Sequence, residues 1–241
     1  MGQAEDERAV EAVVAKGLRS WLTKAKDAVL RPWRQFRGMP DAGTVYSLQP
    51  DWDREVETIL ATLSRISMGA WSEATDVPPV SRHAFIVASL ADAENLMVRM
   101  PDEVANLIFA EINDTVNAGG DTEAVARQVE KVLSWTDSER WPGRARTIAR
   151  TETTRARGAG TLGAGTEQAR VTGRILQKTW VAHHDERTRI SHFGADGQTR
   201  VFYEPFDVGG EGLMFPGDPT GSPENVINCR CSMVIRNEAT R

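Results

Sequence analysis

Through most of the first 139 residues, apolar positions recur every three or four residues, which is the spacing of an amphipathic helix. Val10, Val13, Val14, Leu18, Leu22, Ala25, Val29 and Leu30 predict a helix over 6–36, kinked or ended by Pro32. A linker is expected at 39–50, where Pro40, Gly43 and Pro50 fall. Val56, Ile59, Leu60, Leu63 and Ile66 predict the next helix, capped by Asp51 or Asp53 and running to about Met68. Val77-Pro78-Pro79 breaks the pattern. Ser81 is placed to cap a helix reaching Met100, and Pro101 to open one ending at Asn117 before Gly119-Gly120. Asp121 then opens one to about Trp135. A further helix is predicted over 138–171 despite Gly158, Gly160, Gly163 and Gly165. An interior glycine costs about 1 kcal/mol relative to alanine, so this helix is either broken there or packed closely against a neighbour.

Beyond Thr172 the pattern changes. Arg174 to Ala182 is rich in β-formers, Asp196-Gly197 is a hairpin signal, and Thr199 to Tyr203 reads as the return strand. Phe215-Pro216-Gly217-Asp218-Pro219 predicts a rigid loop and Cys229 to Ile235 a last strand. The fold class is therefore α+β: a mostly helical region over 1–139, then a small domain over 140–241 of a helix plus an antiparallel β-meander.

With 241 residues the chain can hold one large domain or two small ones, and no apolar run is long enough to span a bilayer. The polar, acidic start argues against a secretory signal. Two cysteines exclude a disulfide scaffold, which points to a reducing compartment or a particle assembled in one. The formal net charge of −5 hides an asymmetry: residues 1–139 carry 14 Lys/Arg against 23 Asp/Glu, and residues 140–241 carry 15 against 11.

The densest basic stretch is Arg140 to Lys178, where Arg144, Arg146, Arg150, Arg155 and Arg157 could neutralise phosphates at helical spacing. The plainer reading is a solvated face, or one paired with the acidic half. Lys16 to Arg37, with Trp21, Trp33 and Phe36 interleaved, reads as an amphipathic helix packing on protein rather than on a membrane.

Cys229 and Cys231, two apart on a predicted strand, would face one side. With His192 and a fourth ligand from His184 or Asp185 they would make a tetrahedral zinc site. Two packed thiols and a surface histidine are the alternative. Glu152, Asp185, Arg187 and His192 are the parts of an acid/base set, although no diagnostic catalytic spacing joins them. No phosphate loop, dinucleotide fingerprint, serine elbow or HExxH motif is present.

Taken in order, the C-terminal pieces resemble the phage Mu F-like family, the phage head morphogenesis or minor head protein domain. They are Arg146 to Glu152 with its Thr151-Glu152 pair, Lys178-Thr179-Trp180, and Asp185-Glu186-Arg187-Thr188-Arg189. His192, Asp196-Gly197, the Pro216-Gly217-Asp218 loop and Asn228-Cys229-Arg230-Cys231 follow. The resemblance covers about 140–235. It implies a non-enzymatic minor structural protein of a tailed-phage head, inside the virion near the portal and in the host cytoplasm during assembly. Its implied partners are portal, coat or scaffold protein and the genomic DNA, with no membrane. A phage-delivered nuclease-like effector is the alternative. Many relatives carry Cys-x-x-Cys after Asp-x-Arg-Thr, which looks like part of a metal site; here Arg189 and His192 hold those positions, and no histidine precedes Asn228. The implied cofactor is thus none, or a structural zinc on His192, Cys229 and Cys231.

Overall fold

The computed structural model describes residues 2–81, 84–88, 90, 97 and 99–237. The first helix, α1, spans Gln3–Val29 and buries Val10, Val14, Leu18, Trp21, Leu22, Ala25 and Val29, so the predicted apolar stripe is a true inner face. It stops where Pro32 approaches, and Arg31–Phe36 forms a short α2 with that proline in its first turn. The expected linker is instead largely a 3₁₀ helix, Ala42–Leu48, because the Asp41 carboxylate accepts from the Gly43 N–H at 2.9 Å and caps it.

The next helix, α3, spans Gln49–Ala74, starting before the expected aspartate caps and ending a turn and a half beyond Met68. Ser81 Oγ accepts from the Ala84 N–H at 3.2 Å and residues 84–88 are helical; most of the remaining predicted stretch to Met100 lies outside the described residues. Helix α4 is Met100–Asn117 and α5 is Thr122–Val132, the latter capped by Asp121 through the Ala124 N–H at 2.8 Å. It ends three residues before Trp135.

Helix α6 runs unbroken over Arg140–Thr172. Gly158, Gly160, Gly163 and Gly165 are there for close approach. A Cβ at Gly158 would lie 2.5 Å from the Phe215 ring, one at Gly163 2.8 Å from the Trp71 ring, and one at Gly160 would run into the Ser67 carbonyl.

Strand β1 (Leu176–Val181) is the centre of a three-stranded antiparallel sheet. It pairs on one side with β2 (Thr199–Val201), in register Lys178↔Arg200, and on the other with β5 (Ser232–Asn237), in register Trp180↔Met233. Between β1 and β2 lies α7, Ile190–Ala195, so Asp196-Gly197 turns the chain out of a helix rather than closing a two-residue hairpin. The tight hairpin is elsewhere: β3 (Phe206–Val208) and β4 (Glu211–Leu213) are joined by Gly209-Gly210, both with positive φ. A short α8, Pro223–Val226, precedes the Asn228–Cys231 turn.

Two compact units can be distinguished. A motif unit gathers Met1–Glu11, Leu60–Ala93 and Thr147–Arg241; a helical unit gathers Ala12–Ile59 and Glu94–Arg146. In the helical unit, Trp21 and Trp52 meet edge to face at 5.6 Å, and their indole N–H groups donate to the carbonyls of Leu48 and Met97. Trp21 thus belongs to a protein core, whereas Trp33 is half-buried and Phe36 exposed, so only part of the 16–37 stretch packs as the amphipathic reading expects. The core of the motif unit comprises Trp180, Phe206, Val208, Leu213, Phe215, Cys229, Cys231 and Met233.

The packing of α6 makes a sharp comparison available. Gly160→Ala should destabilise by about 1–3 kcal/mol in urea unfolding, because overpacking against the Ser67 carbonyl outweighs alanine's helix preference. Gly143→Ala, with open space around the new methyl, should be neutral or stabilising by up to about 1 kcal/mol. A stabilising Gly160→Ala would contradict the close approach.

Candidate metal centre

Cys229 and Cys231 are not on a strand: β5 begins one residue later, and Asn228 turns the chain in the left-handed region at φ 59°. The two thiols nevertheless converge with His192, because the turn is held from three sides. From α6, Thr151 Oγ1 accepts from the Asn228 N–H at 3.0 Å and Thr154 Oγ1 donates to the Cys229 carbonyl at 2.6 Å. Arg150 Nη1 donates to Asn228 Oδ1 at 3.3 Å. From the loop after β1, Asp185 takes the Arg230 guanidinium with both carboxylate oxygens, Oδ1 accepting from Nη2 at 2.7 Å and Oδ2 from Nη1. From α1, Gln3 Nε2 donates to the Arg230 carbonyl at 3.3 Å.

His192 Nδ1 lies 3.3 Å from Cys231 Sγ and 3.7 Å from Cys229 Sγ, and all three residues are buried. Ligands on a tetrahedral zinc, with Zn–S about 2.3 Å and Zn–N about 2.0 Å, stand about 3.5–3.8 Å apart. The donor set fits such an ion. Hydrogen bonding with Cys229 and His192 pulls the Cys231 thiol down to about 4 against the opposing effect of burial. Cys229 goes the other way, pushed well above the ordinary thiol value by its hydrogen bond to Cys231 and by burial. The Trp180 ring packs edge to face on His192 at 5.7 Å and fixes its plane.

The expected fourth ligand is not there. His184 is exposed and its Nε2 lies 2.9 Å from Asp196 Oδ2, while Asp185 is committed to Arg230. Among the described residues, the cluster holds three donors. A small pocket adjoins them, lined also by His183, Arg187, Thr188 and Arg189.

The other motif residues are brought together as supports. Asp185 also accepts from the Arg187 N–H, and Arg230 holds its carboxyl well below the usual carboxylate range. Thr188 donates to the His183 carbonyl. Asp196 accepts from the Ala182 N–H, and Gly197 turns at φ 71°. Asp218 accepts from Met214 and Thr220, and the positive-φ Gly217 after Pro216 lies against the backbone of Arg155. Glu152 is buried in an ion pair with Arg155 at 3.1 Å, far from the free carboxylate an acid/base set would use.

The basic stretch is largely committed as well. Arg144 pairs with Glu103, Arg150 with Glu7, and Arg157 with Asp6 and Glu73, whereas Arg146 is exposed.

Against this geometry, the model of the family described as Phage Mu protein F like protein matches residues 106–234, over half of the chain. The chain belongs to this family. No curated protein and no solved structure matches it. The Mu F-like match starts within α4, upstream of the motif pieces that carried the resemblance. Membership gives the protein a general role in phage head morphogenesis as a minor structural component, with other head proteins as its partners. Among the described residues no helix is long and apolar enough to cross a membrane.

One motif residue is buried where the basic-stretch reading expects an exposed cation. Lys178 is fully buried, its Nζ donating to the Met214 carbonyl at 2.8 Å and lying 4.9 Å from the centre of the Phe206 ring. Burial pushes its amine down to about 8 from 10.5, with the Asp218 charge opposing. Between those two values the unfolded chain binds more protons than the folded one, so this lysine makes stability rise with pH there. Below about 8 both states are protonated and the burial penalty is constant. Lys178→Met should therefore flatten the rise in stability between pH 8 and 10 relative to wild type, by up to about 3 kcal/mol across the full window. Parallel pH profiles of the two proteins would contradict a buried cationic amine.

Proposed function

We propose that this Mu F-like protein is a low-copy, non-enzymatic component of the head interior. In this reading it sits near the portal, contacts packaged DNA, and carries a structural zinc on His192, Cys229 and Cys231. The family match over half of the chain is the observation that carries the assembly role. The arrangement around Glu152 and Asp185 supports a structural rather than catalytic use of the motif, since both carboxylates are tied to arginines. Contact with a protein partner is supported by Phe36, 81% exposed at the end of α2 between Arg34 and Arg37. DNA contact is supported by the exposed guanidiniums of Arg146, Arg174 and Arg187. The bound zinc would supply a cross-link between α7 and the Asn228–Cys231 turn.

Mass spectrometry of purified heads, with and without portal, tests the assembly reading. The protein should be present at a few copies in portal-containing heads; its absence from precursor and mature heads alike would overturn the proposal. Elemental analysis tests the metal. One zinc per chain is expected, lost in Cys229→Ser/Cys231→Ser, with chelator lowering the melting temperature of wild type alone. Metal-free protein whose melting ignores chelator would leave the three residues as a packing cluster.

A further inference from the structure

The first two turns of α1 pack on α6 within the motif unit, and they do so through charge. Asp6 is 4% exposed, its Oδ2 2.5 Å from Arg157 Nη1; the other arm of that guanidinium lies 2.6 Å from Glu73. Glu7 Oε2 is 3.8 Å from Arg150 Nε, and its charge also acts on Arg230. Gln3 Nε2 bonds Thr154 Oγ1 at 3.2 Å and the Arg230 carbonyl at 3.3 Å. One acidic segment thus covers Arg150, Arg157 and the back of the Asn228–Cys231 turn.

Carboxylates and phosphodiesters compete for the same guanidinium groups by the same charge-assisted hydrogen bonds. Arg150 and Arg157 are seven residues apart, so they share one face of α6 about 10.5 Å apart along its axis. That spans about three steps of duplex DNA at about 3.4 Å each. We propose that this face is a phosphodiester-binding surface, held closed in the isolated chain by Asp6 and Glu7, which occupy the phosphate positions. The proposal rests on the reading that the protein contacts DNA, and it adds the surface and what regulates it. The lock opens from the Glu7 side. Glu7 and Arg150 each keep a fifth or more of their side chains in solvent, and such partly exposed pairs contribute little to stability, whereas the buried Asp6 is the firmer hold on Arg157. Chain ends are also where local unfolding begins.

The test is fluorescence anisotropy of the full chain with a labelled 24-base-pair duplex across a salt series. Asp6→Asn/Glu7→Gln should bind about tenfold more tightly than wild type at low salt. Its slope of log K against log salt should be steeper by about one to two units. Adding Arg150→Gln and Arg157→Gln should return both quantities to wild-type values or below. If Asp6 proves necessary for folding, Glu7→Gln alone should still steepen the slope by about one unit. Wild type and Asp6→Asn/Glu7→Gln binding DNA with equal affinity and slope would overturn the closed surface and leave the DNA reading standing. No binding by any of these proteins would overturn both.

Discussion

Residues 228–231 lie outside helix and strand, so beyond the Cys229 N–H bond to the Val226 carbonyl, what fixes Cys229 and Cys231 comes from side chains elsewhere. The bidentate Asp185–Arg230 pair and the hydroxyls of Thr151 and Thr154 supply it. Each satisfies a polar group that burial would otherwise leave unpaired, a cost of about 1–3 kcal/mol per group. The consequence is geometric: two thiols meet one imidazole with spacings that suit a tetrahedral ion. The family motif is therefore mainly a fixture. Its conspicuous charged residues hold a turn; the turn presents the donors.

This fixture also explains why a glycine-rich stretch can be one continuous helix. Gly158, Gly160 and Gly163 lower the helix preference of α6, but their missing side chains admit Phe215, Ser67, Trp71 and Phe85 to the helix surface. Apolar contact at that range offsets the propensity lost. The Thr151 and Thr154 hydroxyls and the Arg155 backbone can then serve as a rigid edge for the Gly217 loop and the Asn228 turn.

Much of this was legible in sequence, for local reasons. Helices repeat their apolar positions every three or four residues, and Asp121 and Ser81 cap through residues three further on. The 3₁₀ helix at Ala42–Leu48 was not, because proline and glycine content reads as a loop while the single Asp41 cap is a weak signal. The Gly209-Gly210 hairpin was missed because its three-residue strands are too short to show alternation. Lys178 was counted with the basic stretch, yet it shares the inward parity of Leu176 and Trp180 on β1. The arginine partners were beyond reach: Asp6 and Arg157 are 151 positions apart, and no local pattern joins them. Cys229 and Cys231 do lie together beside His192, but in a geometry that the turn, not a strand, supplies.

The central claim is that the thiols are preorganised by their neighbours, before any metal binds. The rate at which a thiol reagent modifies metal-free protein tests it directly, since Cys229 and Cys231 are the only cysteines in the chain. Wild type should react far more slowly than denatured protein, and Thr154→Val or Asp185→Asn should accelerate modification roughly tenfold while the fold persists. Equal rates for folded and denatured protein, or no change in either variant, would show that the turn is not held as described.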